Sequence, residues 1–181
     1  LWDALSITNL RLEVNSLGNE ESRANYRTAL VNYFSPFKKL LDEPSLARLK
    51  SNPLRILDSK NPDLKELISE APSLSDYLDD DSRNHFTAFA NILNANNIQY
   101  TINPRLVRGL DYYNKTVFEW VTEELGAQSA ICAGGRYDSL VETMGGKASY
   151  ATGCAMGLER IIELRKVQQN TLSLQSPDVY V

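Results

Sequence analysis

The sequence predicts an α+β chain, on a change of texture and on the patterns to either side of it. Before about Ile98 the apolar residues recur at helical spacing between proline-marked turns. After it, β-branched and aromatic residues gather in short runs with glycine between them. The stretch Ile98 to Asn103 is therefore the main internal boundary.

In chain order, Leu10 to Val14 alternates apolar and polar, the pattern of a half-buried strand. A helix is expected from about Glu20, with Tyr26, Ala29, Leu30 and Tyr33 on one face and Pro36 interrupting it. Leu46 to Lys50 and Asp63 to Ser69 read as short helices set off by turns at Pro53 and Pro62. Asp79 to Ser82 then precede Phe86, Phe89, Ala90 and Leu93, an amphipathic helix whose acidic start suits its positive pole. Gln99 to Ile102, Thr116 to Thr122 and Ser129 to Ala133 are expected strands, with a turn at Gly126. Tyr137 to Met144 is expected as a short helix ending at Gly145-Gly146, and Thr152 to Met156 as a strand feeding a helix from Gly157 to about Val167.

Composition narrows the function classes. A length of 181 residues, 43% apolar and 23% charged, is that of an ordinary globular protein able to bury a core. The formal charge of −4 argues against a surface that binds nucleic acid everywhere, while leaving room for a local basic patch. Cys132 and Cys154, both in apolar company, read as buried thiols and not as a disulfide framework. No apolar run approaches the roughly 20 residues of a membrane span, and Asp3 and Asn9 interrupt any signal-like start. The expected location is cytoplasmic. Leu1 is not an initiator Met, and Asp178 to Val181 reads as the start of a strand, so the expectation is an interior piece of a longer protein.

The chemistry concentrates in three stretches. Leu106-Val107-Arg108-Gly109-Leu110-Asp111-Tyr112-Tyr113 sets a guanidinium, a glycine, a carboxylate and two phenols side by side. Arginine next to glycine lets backbone and a rigid donor fork approach a planar anion, and tyrosines offer flat walls with a polar tip. Ala133-Gly134-Gly135-Arg136-Tyr137-Asp138 and Ala155-Met156-Gly157-Leu158-Glu159-Arg160 follow. Three arginine-bearing, glycine-hinged stretches point to an anionic, phosphorylated ligand.

These stretches resemble the histidyl-tRNA synthetases, a class II aminoacyl-tRNA synthetase family. Leu106 to Tyr113 resembles the family's first histidine motif, Ala133 to Asp138 its second, and Gly153 to Arg160 the class II motif 3. Asn52-Pro53-Leu54-Arg55 and Leu57-Asp58-Ser59-Lys60 resemble the intervening region of bacterial members. The resemblance implies part of an antiparallel catalytic sheet with flanking helices, plus a mostly helical insertion domain. It divides the chain into residues 1–14 (catalytic strand), 15–98 (insertion), 99–176 (rest of the catalytic part) and 177–181 (start of a linker or anticodon-binding domain). Motifs 1 and 2 would precede Leu1.

It further implies ATP-dependent activation of histidine to the adenylate and transfer to tRNA(His), with Mg²⁺ accompanying ATP and a homodimer in the full-length protein. A dimer of this piece is doubtful. The piece alone is expected to be inactive, since the motif 2 arginine and half the histidine pocket lie outside it.

By this likeness Arg108 would act on the α-phosphate and the histidine carboxylate, the alternative being a surface ion pair with Asp111. Tyr112, Tyr113 and Tyr137 would wall the imidazole, or else be core tyrosines. Gly134 and Gly135 would admit backbone N–H groups to the ligand, and Arg136 would support them, or the pair is only a turn. Gly157 and Arg160 would serve ATP, Arg160 at the γ-phosphate. Cys154 stands where the family often has an aromatic residue. His85, the only histidine, reads as a polar-face residue without metal, and Asp79 to Asp81 as a helix start. Lys38, Lys39, Arg48, Lys50 and Arg55 would face tRNA phosphates or simply solvent. Two other readings of the chain remain: a non-catalytic histidine-sensing regulatory paralogue, and a module that only contacts tRNA.

Overall fold

Strand-forming runs at either end of the chain meet in one sheet, and the helices between them lie against its faces. The computed structural model describes residues 1–59, 61–126 and 129–168. Lys60, residues 169–176 and the expected strand start in 177–181 lie outside the described residues. The strands are β1 (Arg11–Ser16), β2 (Thr101–Ile102), β3 (Asn114–Val121), β4 (Ala130–Arg136) and β5 (Thr152–Met156). The helices are α1 (Glu20–Phe34), α2 (Glu43–Ser51), α3 (Lys65–Ser69), α4 (Asp80–Ala95), α5 (Asp138–Thr143) and α6 (Leu158–Val167), with short 3-10 turns between several of them.

The sheet order is β2-β1-β3-β4-β5. Four strands pair antiparallel, as expected; the two-residue β2 adds a parallel edge, so the sheet is mixed. Helix starts follow local capping chemistry: Asn19 accepts from the Ser22 N–H at 2.8 Å, Asp42 from Ser45 at 2.8 Å and Asp79 from Ser82 at 2.9 Å. The acidic run Asp79 to Asp81 is thus a cap and first turn.

Helix α1 buries Tyr26, Leu30 and Phe34, so the inner stripe advances by four residues and Phe34 takes the place expected of Tyr33. Tyr33 instead donates its hydroxyl to the Leu67 carbonyl at 3.0 Å. The core around α1 to α3 also includes Leu106, Tyr113 and Val117, so these helices share a core with the sheet and with the loop from residue 103 to 113.

Period-two alternation gives the sheet two different faces. Cross-strand partners Leu12 and Trp120, and Val14 and Phe118, lie on one, packed by Phe86, Phe89 and Leu93 of α4. Partners Glu13 and Glu119, and Asn15 and Val117, lie on the other, beneath the 103–113 loop. Helix α6 closes one end, where Ile161 and Leu164 meet Ile7 and Ile131.

Two further expectations about single residues change. His85 does not sit on a solvent face: its ring lies 3.0 Å from an Arg136 nitrogen and 3.4 Å from the Thr116 hydroxyl, because α4 turns that side toward the sheet. Cys132 is buried but Cys154 is exposed, because β5 lies at the sheet edge among the described residues. Burial and the neighbouring Cys154 thiol raise the pKa of the Cys132 thiol.

Candidate functional site

The loop carrying the first motif is fixed to the sheet and to the helical segment before its side chains are considered. Asn15 of β1 donates to the Leu106 carbonyl at 3.0 Å. Arg105 reaches the other way, its guanidinium donating to the carbonyls of Pro72 at 2.8 Å, Ala71 at 2.5 Å and Ser69 at 3.0 Å. Those bonds satisfy carbonyls at the end of a helical turn, and they hold the loop over the sheet face.

Arg108 does not pair with Asp111. Its guanidinium donates to the Glu119 carboxylate of β3, in an ion pair whose side chains are 23% and 19% exposed. Asp111 faces the helical segment, accepting from the Asn52 amide at 2.9 Å and lying 3.6 Å from Arg27. The Asn-Pro-Leu-Arg stretch therefore meets the first motif in space through Asn52.

Tyr112, Tyr113 and Tyr137 form one cluster. The ring centroids of Tyr112 and Tyr113 are 4.6 Å apart, and Tyr137 stands edge-on to both at 5.7 and 5.9 Å. The Arg108 guanidinium carbon is 5.6 Å from the Tyr113 centroid, within cation–π range. Tyr113 is buried, while Tyr112 and Tyr137 are half-buried.

Gly134 and Gly135 do not form a turn. They lie inside β4, paired with β3 on one side and β5 on the other, so the backbone takes part in the ladder. The missing side chains matter instead. A Cβ on Gly135 would come 3.1 Å from the Tyr113 ring, and one on its partner Gly153 would come 2.3 Å from the Tyr137 hydroxyl. A Cβ on Gly134 would meet the Gly153 carbonyl at 2.2 Å. Gly135 and Gly153 form a bare floor beneath the tyrosines, while Gly134, the cross-strand partner of Phe118, faces the α4 side and allows the close approach of β5. Arg136 supports from the opposite face, bonded to Asp138 at 2.7 Å and stacked on Tyr150 at 4.7 Å.

Gly157 caps α6 and donates to the Ile131 carbonyl at 3.0 Å. Arg160, in the first turn, folds over Gly157 and donates to the Ala130 carbonyl. Arg108 and Arg160 line the same cleft of about 340 Å³ with Ala133, Ala155, Met156 and Gly157. Two guanidinium groups thus share one groove across β4 and β5, with the tyrosine cluster beside the first. Such a groove suits a ligand with separated anionic groups and a flat polar ring. A larger cleft, about 580 Å³ and lined by Arg23, Asp138 and Tyr150 among others, contains neither motif arginine.

Sequence reasoning passed over Glu119, Arg105 and Gly153. Glu119 had a signal, a carboxylate between Phe118 and Trp120 in the otherwise apolar run Val117 to Val121. Arg105 had none, since its acceptors are backbone atoms more than thirty residues away.

The histidyl-tRNA synthetase family model matches residues 21–161. A histidine–tRNA ligase of Burkholderia ambifaria is 55% identical over the whole chain, which covers 41% of that protein. One from Burkholderia lata is likewise 55% identical, with the same coverage. The chain therefore spans about two fifths of the length of these relatives. Among solved structures, apo histidyl-tRNA synthetase of S. aureus matches with a TM-score of 0.71 at 30% identity, over 95% of this chain and 42% of that one. An ATP phosphoribosyltransferase regulatory subunit/histidyl-tRNA synthetase from Bacillus halodurans shares the fold, with a TM-score of 0.53 at 19% identity over 90% of this chain and 46% of that one.

Proposed function

Because the chain belongs to the histidyl-tRNA synthetase family, we propose that it works as part of a histidine–tRNA ligase that supplies the remaining length of the relatives. The reaction is attack of a histidine carboxylate oxygen on the α-phosphorus of ATP. A phosphorus–oxygen bond forms, the bond to the bridging α,β oxygen breaks, and pyrophosphate leaves. A terminal ribose hydroxyl of tRNA(His) then attacks the adenylate's carbonyl carbon, forming the ester as the acyl–phosphate bond breaks and AMP leaves.

The observation that carries this reading is the shared groove of Arg108 and Arg160 with three tyrosines beside Arg108. In this reading Arg108 bridges the histidine carboxylate and the α-phosphate, where negative charge grows in the transition state. Tyr112, Tyr113 and Tyr137 hold the imidazole, and a buried hydroxyl partner rejects analogues lacking the ring nitrogen. Gly157 and Arg160 hold the ATP triphosphate, Arg160 at its γ end. Gly135 acts by leaving room for Tyr113, and Gly134 by letting β5 approach β4 closely. Mg²⁺ would arrive on the ATP phosphates; among the described residues no group of three or more His, Cys, Asp or Glu side chains is placed to hold a metal ion. The protein would act in the cytoplasm as a homodimer, and the exposed Lys38, Lys39, Lys50 and Arg55 would face tRNA phosphates. Among the described residues no helix is long and apolar enough to cross a membrane.

Histidine-dependent ATP–pyrophosphate exchange by the full-length protein, with residues 1–181 run alongside, tests the reading. Exchange by the full-length protein alone is expected. Histidine binding without exchange would favour a regulatory role, which the fold of the Bacillus halodurans protein also accommodates.

A further inference from the structure

The carboxylate that receives Arg108 is a group on the site face that the proposed chemistry leaves unused. Glu119 is in the middle of β3, 19% exposed, with Phe118 and Trp120 on either side turned to the opposite face. A carboxylate so placed is costly unless it is paired. Its surroundings are otherwise unfavourable to it. Glu13 is its cross-strand partner on β1, and Asp58 is close enough to act on it. Burial raises the pKa of the Glu119 carboxyl, against the pull of Arg108, and Asp58 and Glu13 raise it further.

Glu13 does not compete for Arg108, since it accepts from Arg11 at 2.8 Å and from the Asn103 amide at 2.6 Å. Arg108 therefore meets one carboxylate through one terminal nitrogen. Its Nε is buried and has no hydrogen-bond partner in the protein. The guanidinium is thus held at one corner by Glu119 and flanked by the Tyr113 ring, and it lines the groove it shares with Arg160. Asn15 and Arg105 fix the loop backbone but not the tip of a long side chain with about 2 kcal/mol of rotamer entropy.

We propose that Glu119 is the positioning residue for Arg108, holding its guanidinium at the angle from which it meets the α-phosphate as charge develops there. This rests on the ligase reading. The pair trades part of the arginine's charge for aim, and aim decides a step in which a displacement of about 1 Å costs up to a hundredfold. Glu119 touches no reacting atom, so its loss acts on turnover through Arg108 and leaves histidine binding nearly unchanged.

The test is a cycle in the full-length ligase with Glu119→Gln, Arg108→Ala and the double variant, read by ATP–pyrophosphate exchange. Glu119→Gln, close in shape, is expected to lower kcat about ten- to a hundredfold, with the histidine KM moving less than about threefold. In the Arg108→Ala background the same change is expected to cost nothing more. Glu119→Asp keeps the charge on a shorter stem and is expected to fall between wild type and Glu119→Gln in kcat. Equal losses in both backgrounds, or a rise in KM matching the loss in kcat, would overturn the proposal, as would full activity of Glu119→Gln. If either single variant does not fold, the Glu119→Asp ordering decides the matter. Absence of exchange in the wild-type protein would refute the ligase reading itself, which is a separate result.

Discussion

The two faces of the sheet are built from the same strands and serve opposite ends. On the α4 face, Leu12, Val14, Phe118 and Trp120 meet Phe86, Phe89 and Leu93 in a packing that needs only shape and burial. On the other face, one residue along each strand, Glu13, Asn15 and Glu119 meet a loop through hydrogen bonds and an ion pair. The first face stabilises the sheet; the second uses that rigidity to hold polar groups in costly positions. A one-residue slip of β3 would exchange Glu119 for Trp120 and destroy both faces together.

The contrast breaks most sharply at Arg108. Arg108→Ala in the full-length ligase should slow adenylate formation about a thousandfold, about 4 kcal/mol of barrier, while histidine affinity changes far less. Pre-steady-state adenylate formation beside equilibrium histidine binding checks this, and equal losses in the two would remove Arg108 from the transition state. On the α4 face the expected pattern reverses. Leu93→Ala removes a 7% exposed side chain and should destabilise by about 2–3 kcal/mol, lowering the melting temperature while turnover per folded molecule stays near wild type. A smaller effect belongs to the glycine floor. Gly153→Ala places a methyl 2.3 Å from the Tyr137 hydroxyl, so the ring must move. The histidine KM is expected to rise about tenfold with kcat less affected, the opposite split from Arg108→Ala.

Most of the elements were legible in the sequence, because local chemistry dictates them. The Asp79 cap, the Phe86-to-Leu93 stripe and the Gly157 helix start are each written within a few residues. Arg108, Tyr112, Tyr113, Tyr137 and Arg160 were likewise singled out from their motifs, and the structure brings them together. What stayed hidden was pairing over distance. Asp111, three residues from Arg108, was the alternative partner the sequence offered, yet Glu119 receives it because the loop crosses β3. Gly134-Gly135 was expected to bring backbone N–H groups to the ligand, or else to be only a turn, but both glycines sit in the β4 ladder, where close packing against β5 and Tyr113 demands them. The orientation of His85 depended on which side of α4 the sheet occupies, a fact no helical wheel contains.

His85 also supplies the gentlest probe of how the two faces are joined. It sits on α4, yet its ring meets Arg136, whose other partner Asp138 begins α5 just after Tyr137. Burial lowers the pKa of the imidazole below its ordinary value of 6.5; Arg136 and Lys115 lower it further, while Asp81 and Asp138 pull the other way. The neutral ring is therefore the form the folded protein prefers, and the unfolded chain binds the proton more tightly. Stability from this contact is complete above about pH 6.5 and declines as pH falls from there toward the lowered folded value. Hydrogen-exchange protection of the α4 amides should fall across that window, and His85→Gln should abolish the dependence. Protection that weakened equally in His85→Gln would place the titrating group elsewhere. Loss of protection at α4 with the Tyr137 cluster still ordered would show that the packing face loosens before the site face does.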